Sequence, residues 1–132
     1  MGLGDDYAAM FLQGGASSQF FMIPFNFCAD DKVANYIDTG TWSTKAIKEV
    51  KILGKQLHIA ATSEDKDFTY IPKEWKLSQN PAYLHITTNN TIRGTEWMID
   101  PDVPAGVPLI ADMSSNFLSR PMDFSKYDMI YG

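Results

Sequence analysis

Val33-Ala34-Asn35-Tyr36-Ile37, then Ser43-Thr44-Lys45-Ala46-Ile47-Lys48-Glu49-Val50-Lys51-Ile52-Leu53-Gly54, then Leu57-His58-Ile59-Ala60-Ala61-Thr62 is the stretch that decides the fold class. The two outer runs have strand length and little polar alternation, which suits strands buried on both faces of a largely parallel sheet. Between them, Ala46, Ile47, Val50 and Leu53 fall on one helical stripe, Lys45 and Glu49 stand at i,i+4, and Gly54 ends the pattern. Strand, helix, strand in that order is the α/β signature. Working outward, Tyr7 to Leu12, Tyr83 to Thr87, Val107 to Ala111 and Met129 to Tyr131 have the same strand character. The expectation is an α/β domain with a mostly parallel central sheet of about six strands, flanked by helices. A second helix is expected to open at Ala16 and run through Met22, with Pro24 kinking or ending it. Ser63 to Asn80, rich in charge and carrying Pro72, reads as an irregular connection.

Composition narrows the function classes. The 132 residues include 11 Lys and Arg against 16 Asp and Glu, a net charge of -5, with no basic stripe. Nucleic acid and anionic membrane are therefore not expected partners. No run reaches the ~18 apolar residues of a membrane span, and the first residues lack a basic signal-peptide region. The one cysteine, Cys28, excludes an internal disulfide and fits a reducing, cytoplasmic compartment. His58 and His85 lie inside expected strands with no second ligand at metal spacing, so metal binding is not expected.

Four segments could carry chemistry, each at the carboxyl end of an expected strand. Gln13-Gly14-Gly15-Ala16-Ser17-Ser18 combines a tight turn with open N–H groups at a helix start, the logic of a phosphate cradle. The same glycines also serve as a plain turn. Asp38-Thr39-Gly40-Thr41-Trp42-Ser43 puts an indole where it could stack on a flat ring, or pack as a loop residue. His85-Ile86-Thr87-Thr88-Asn89-Asn90-Thr91 offers hydroxyl and amide donors that equally suit a turn bonding its own backbone. Asp112 closes a buried strand and needs a partner, whether Ser114, Ser115 or a bound cation.

Read together, Phe11-Leu12-Gln13-Gly14-Gly15-Ala16-Ser17, Thr39-Gly40-Thr41-Trp42-Ser43 with Lys45-Ala46-Ile47-Lys48-Glu49, Thr88-Asn89-Asn90-Thr91-Ile92 with Gly94-Thr95, and Ala111-Asp112-Met113-Ser114-Ser115 with Leu118-Ser119-Arg120-Pro121 resemble successive signature segments of the phosphoserine aminotransferase family. These are pyridoxal-phosphate-dependent enzymes of class V and fold-type I. The resemblance covers essentially the whole chain in the right order. It implies that Ala16 and Ser17 bind the phosphate of pyridoxal 5'-phosphate and that Trp42 stacks on its ring. It also implies that Thr91 bonds the ring hydroxyl oxygen and that Asp112 pairs with the protonated ring nitrogen, which makes Asp112 and Trp42 the catalytic pair. The implied reaction moves an amino group from glutamate to 3-phosphohydroxypyruvate, giving phosphoserine and 2-oxoglutarate in serine biosynthesis. Some members act on a related phosphorylated keto acid in pyridoxine biosynthesis. The parent is expected to be a homodimer.

By the same resemblance, the chain is expected to be an internal part of the large, cofactor-binding domain. The N-terminal segment, the Schiff-base lysine and the C-terminal small domain would lie outside it, and the 132 residues alone would be inactive. The strand at Tyr7 to Leu12 would pair with a strand that follows that lysine, so unless it finds a new neighbour it is expected to be unpaired, with buried-type residues facing water. The competing expectation is a non-catalytic α/β unit, or a module that binds a phosphorylated ligand without transferring an amino group.

Overall fold

The structure is a computed structural model that describes residues 4–132. In chain order the elements are helix α1 (Gly15–Phe27), strand β1 (Val33–Asp38), helix α2 (Thr41–Ile52), strands β2 (Leu57–Thr62) and β3 (Pro81–Thr87), the short strands β4 (Asn89–Asn90) and β5 (Thr95–Glu96), and strands β6 (Leu109–Asp112) and β7 (Met129–Tyr131). Five of the strands form one sheet in the order β2-β1-β3-β6-β7, every neighbouring pair parallel. The pair β4 and β5 is a small antiparallel hairpin that leaves the end of β3.

Both faces of the sheet are apolar, which is why its strands show no alternation in sequence. On one face, Phe20 and Ile23 of α1 and Ala46, Ile47 and Val50 of α2 close over Ala34, Tyr36, Tyr83, Ile110 and Tyr131. The opposite face, with Ile37, Leu84, Ile86, Leu109 and Ala111, is covered by loop residues, among them Trp75, Trp97, Met113 and Tyr127. Helices cover only one face among the described residues, and irregular segments close the other. The 63–80 connection is irregular as its composition implies, with a single 3-10 turn at Glu64–Lys66.

The helix stripe is seated as its spacing requires: Ala46 and Val50 are fully buried and Ile47 nearly so. The Lys45 and Glu49 pair does not form. Lys45 turns back instead, placing its ammonium 4.3 Å from the Trp42 ring centroid. Of the two expectations for Pro24, it does not end helix α1, which carries it inside and runs on to Phe27. Pro24 is buried against the core, and this packing offsets the hydrogen bond that a proline cannot donate.

The sixth expected strand is absent. Residues 7 to 12 pair with no strand, and Tyr7, Met10, Phe11 and Leu12 are exposed, Phe11 completely. Apolar composition makes a segment suitable for a buried strand, but a strand exists only through the ladder bonds a neighbour supplies. No described residue supplies them here.

Candidate active site

A parallel sheet brings the ends of β1, β3, β6 and β7 to one edge, and every segment singled out from the sequence follows one of these strands or faces them. The strand order matters as much as the edge. From β1 the chain moves outward to β2, then returns to the other side of β1 for β3 and continues away through β6 and β7. The order therefore reverses between β1 and β3, and at such a point the loops leaving two adjacent strands diverge and open a crevice. Thr39 to Trp42 leave β1 there, and Thr88 to Thr91 leave β3.

Trp42 and Thr91 meet across that crevice. The indole Nε1 donates to Thr91 Oγ1 at 3.3 Å. Thr91 is exposed, and its own O–H donates to no described residue, so it remains a free donor. Trp42 is half-buried in the first turn of α2, one side packed toward the helical core and the other under Lys45. That lysine is exposed. An ammonium over an exposed ring contributes roughly 0.5–1 kcal/mol, too little to hold the face against a stacking heteroaromatic ring.

The start of α2 is fixed from several directions. Ser43 Oγ donates to Asp38 Oδ1 at 2.7 Å and accepts the Thr39 and Gly40 N–H groups at 2.9 and 3.0 Å. Thr44 Oγ1 donates to the same carboxylate at 3.1 Å. Asp38, at the helix N-terminus, has the sign that the helix dipole favours.

Asp112 ends β6 on the helix-covered face, only 3% exposed. Two hydrogen bonds reach it, from the Ser114 N–H at 3.0 Å and the Ser114 hydroxyl at 2.5 Å, and both fall on Oδ1. Oδ2 receives none from the described residues. Burial raises the Asp112 carboxyl above the ordinary carboxylate range, and the two Ser114 bonds only partly pull it back. Among the described residues no cation faces this buried carboxyl. Its neighbour in the ladder is Thr87, whose hydroxyl is buried and has no hydrogen-bond partner. On the other side lies Tyr131, whose phenol is pushed up first by burial and then by the Asp112 charge. Tyr131 accepts or donates a bond with His85 Nε2 at 2.9 Å, and His85 stacks on Tyr36 with ring centroids 4.6 Å apart. Burial pushes the His85 imidazole down to about 3, so it stays neutral. Among the described residues no cluster of three or more His, Cys, Asp or Glu is placed to hold a metal ion.

Ala16 and Ser17 occupy the first turn of α1, Ala16 half-buried and Ser17 exposed. A helix of this length rises ~20 Å, about the length of β1, so α1, which leads into the amino end of β1, begins near the carboxyl edge. Gly14 takes φ 96°, and a Cβ there would lie 2.0 Å from Ser18 Oγ, so only glycine makes this turn. Among the described residues no side chain caps the first turn, which leaves its N–H groups open to an anion.

The five residues singled out from the sequence therefore divide in three ways. Trp42 and Thr91 are in direct contact, and Asp112 is buried on the same edge with one oxygen free. Ala16 and Ser17 reach that edge through the path of α1, without a side-chain bond to the other three. Two supporting residues, Ser43 and Asn90, lie in the segments singled out from the sequence without an individual role there. Ser43 bonds Thr39 and Gly40 within its own turn, a local pattern, whereas Asn90 reaches Trp42 from 48 residues away, which leaves no local signal.

The comparisons with known proteins identify the family and the fold. The aminotransferase class-V family model matches residues 1–131. A phosphoserine aminotransferase of Desulfosudis oleivorans is 60% identical over 131 residues, 99% of this chain and 36% of that protein. The Bacillus subtilis phosphoserine aminotransferase is 51% identical over 133 residues, 100% of this chain and 36% of that protein. In three dimensions, a phosphoserine aminotransferase solved to study radiation damage of its Schiff base superposes with a TM-score of 0.92 at 48% identity, covering 96% of this chain and 35% of that one. A phosphoserine aminotransferase with pyridoxal phosphate bound, from Trichomonas vaginalis, superposes with a TM-score of 0.77 at 44% identity, covering 89% of this chain and 33% of that one. The chain spans about a third of the length of the curated relatives it matches. With the match running from residue 1 to 131, the chain belongs to the class-V aminotransferase family.

Proposed function

We propose that the chain forms the cofactor-holding part of the large domain of a phosphoserine aminotransferase, an enzyme that moves an amino group from glutamate to 3-phosphohydroxypyruvate with pyridoxal 5'-phosphate as cofactor. The observation that carries this reading is the buried Asp112 carboxylate, with Oδ2 left free and no cation of its own, on the edge where Trp42 and Thr91 meet. A buried anion of that kind is costly unless a positive group completes it. A protonated pyridine nitrogen is such a group. The residues present fit the rest of the cofactor as well: an indole face, a free hydroxyl donor at Thr91 and an uncapped helix N-terminus behind a glycine turn.

When bound, pyridoxal phosphate supplies an electron-poor ring that takes up the electron pair left as the substrate loses its Cα proton. Asp112 Oδ2 accepts a hydrogen bond from the ring N–H and keeps the proton there, because a carboxylate is stabilised by the positive charge beside it. Ser114 holds Oδ1 and so orients the carboxylate toward the crevice. The Trp42 indole covers one face of the ring and excludes water from it. Thr91 donates its O–H to the ring oxygen while accepting from Trp42. The first-turn N–H groups of α1 and the Ser17 hydroxyl receive the phosphate. These contacts account for the non-covalent hold on the cofactor and for protonation of its ring, and for no other step.

The test is an assay of the full-length protein with glutamate and 3-phosphohydroxypyruvate, run against serine with glyoxylate. Under this reading the first pair gives the higher kcat/KM by at least about tenfold. Preference for serine and glyoxylate would assign another aminotransferase of the same fold. Absence of bound pyridoxal phosphate absorbance would leave the non-catalytic reading.

A further inference from the structure

Asn90 is fully buried, yet it belongs to a two-residue strand at the rim of the sheet. Its side chain is spent on the opposite loop. Oδ1 accepts the Trp42 N–H at 3.1 Å, and Nδ2 donates to Thr39 Oγ1 at 2.9 Å. Gly40, the N-cap of α2, has no side chain with which to take a first-turn donor, so the Trp42 N–H is satisfied from β4 instead. The approach is close: a Cβ on Gly40 would lie 2.8 Å from both Cβ and Cγ of Asn90. The Asn90 carbonyl meanwhile accepts the Arg93 and Gly94 N–H groups at 3.0 and 2.8 Å, closing the turn on which Thr91 stands. One residue thus ties the backbone of Trp42 to the backbone of Thr91.

We propose that Asn90 is a positioning residue for the cofactor ring, holding the Trp42 indole and the Thr91 hydroxyl at a fixed separation without touching the ring. This rests on the reading of Trp42 and Thr91 as ring contacts. A residue that only stabilised the fold would change the melting of the apoprotein and leave the geometry of those two side chains alone. A positioning residue must act through them.

The experiment uses the full-length protein stripped of cofactor and titrated with pyridoxal 5'-phosphate, with thermal melts of each apoprotein alongside. Asn90→Ala should weaken binding at least about tenfold, whereas Asn90→Asp, which keeps an oxygen for the Trp42 N–H and can accept from the Thr39 hydroxyl, should stay within about threefold of wild type. Thr39→Val, which frees Nδ2 and spares both ring contacts, should weaken binding by an intermediate factor and serves as the probe if Asn90→Ala does not fold. The deciding measurement repeats Asn90→Ala in a Trp42→Ala, Thr91→Ala background, where its effect on binding should shrink to less than about threefold. An undiminished tenfold effect there, or no effect of Asn90→Ala on wild-type binding, overturns the proposal. If Trp42→Ala and Thr91→Ala themselves leave binding unchanged, the ring-contact reading fails first and takes the proposal with it.

Discussion

Replacing Asp112 with asparagine should make the cofactor-free protein more stable at pH above the raised Asp112 value and the loaded enzyme much worse. The two effects have one cause. In the absence of cofactor, Asp112 is a buried carboxylate met only by the Ser114 amide and hydroxyl, and burial outweighs those bonds, so its carboxyl is raised above the ordinary range. The sign follows from linkage. A group whose folded pKa exceeds its unfolded one binds its proton more tightly when folded. Its stabilising contribution is complete below the ordinary carboxylate pKa and is lost as pH rises through the raised value. The wild-type apoprotein loses that contribution as pH rises through the raised value, and Asp112→Asn never carries the charge. The Ser114 N–H still finds the amide oxygen. An uncompensated buried polar group costs about 1–3 kcal/mol, which bounds the gain, and each kcal/mol moves Tm by roughly 2–4 °C in domains of 150–250 residues.

With cofactor present the balance reverses. A charge-assisted hydrogen bond contributes about 1.5–3 kcal/mol, so losing the bond between Asp112 and the ring nitrogen should weaken non-covalent binding by roughly 10-fold to 150-fold. Transamination should fall further, because an amide cannot keep the ring nitrogen protonated. The assay is a pair of melting series across pH 4 to 9, with and without cofactor, plus turnover at saturating cofactor. An Asp112→Asn apoprotein that melts below wild type at the alkaline end of the series, or that keeps the wild-type fall in stability with pH, would refute the uncompensated-charge argument. Near wild-type turnover would refute the role at the ring.

Two further outcomes follow from the same contacts. Trp42→Ala should reduce cofactor affinity by at least the roughly 0.5–1.5 kcal/mol that ring stacking contributes, while the apoprotein loses less than the 3–5 kcal/mol of an emptied core site, because Trp42 is only half-buried. Melts with and without cofactor separate the two, and a loss of several kcal/mol in the apoprotein alone would make Trp42 a core residue. Ser114→Ala removes the hydroxyl bond that lowers the Asp112 carboxyl, so it should move the apoprotein's pH-dependent loss of stability to higher pH. A pH series of melts that superposes on wild type would show that the hydroxyl does not act on Asp112.

Much of the fold is legible from residues alone because burial on both faces leaves a local trace. Val33 to Ile37, Leu57 to Thr62 and Tyr83 to Thr87 are mostly apolar with little polar alternation, and the α2 stripe repeats with a period that only a helix satisfies. Where the trace is not local, reading fails in an identifiable way. Tyr7 to Leu12 has the composition of a buried strand, but composition cannot provide the neighbour whose backbone completes its hydrogen bonds. Pro24 reads as a kink or an end of the helix because its missing N–H is local, and its burial, which lets the helix run on to Phe27, has no local trace.

The site divides along the same line. Trp42, Thr91 and Asp112 could each be placed at the carboxyl end of a strand from sequence position, since polar residues that follow an apolar run stand where the chain leaves the sheet. Which of those ends face one another depends on strand order, and strand order has no local signature. Only when β3 is found on the far side of β1 from β2 do the loops after β1 and β3 become the two walls of one crevice. Asn90 takes its meaning at that step. Its amide bonds residues at positions 39 and 42, and nothing in the run Thr88 to Thr91 distinguishes a side chain that spans the crevice from one that caps its own turn. A buried amide with both ends satisfied across two loops costs little and rigidifies both, so under the proposed reading of Trp42 and Thr91 the restraint on a bound ring would come from the topology as much as from the residues that touch it.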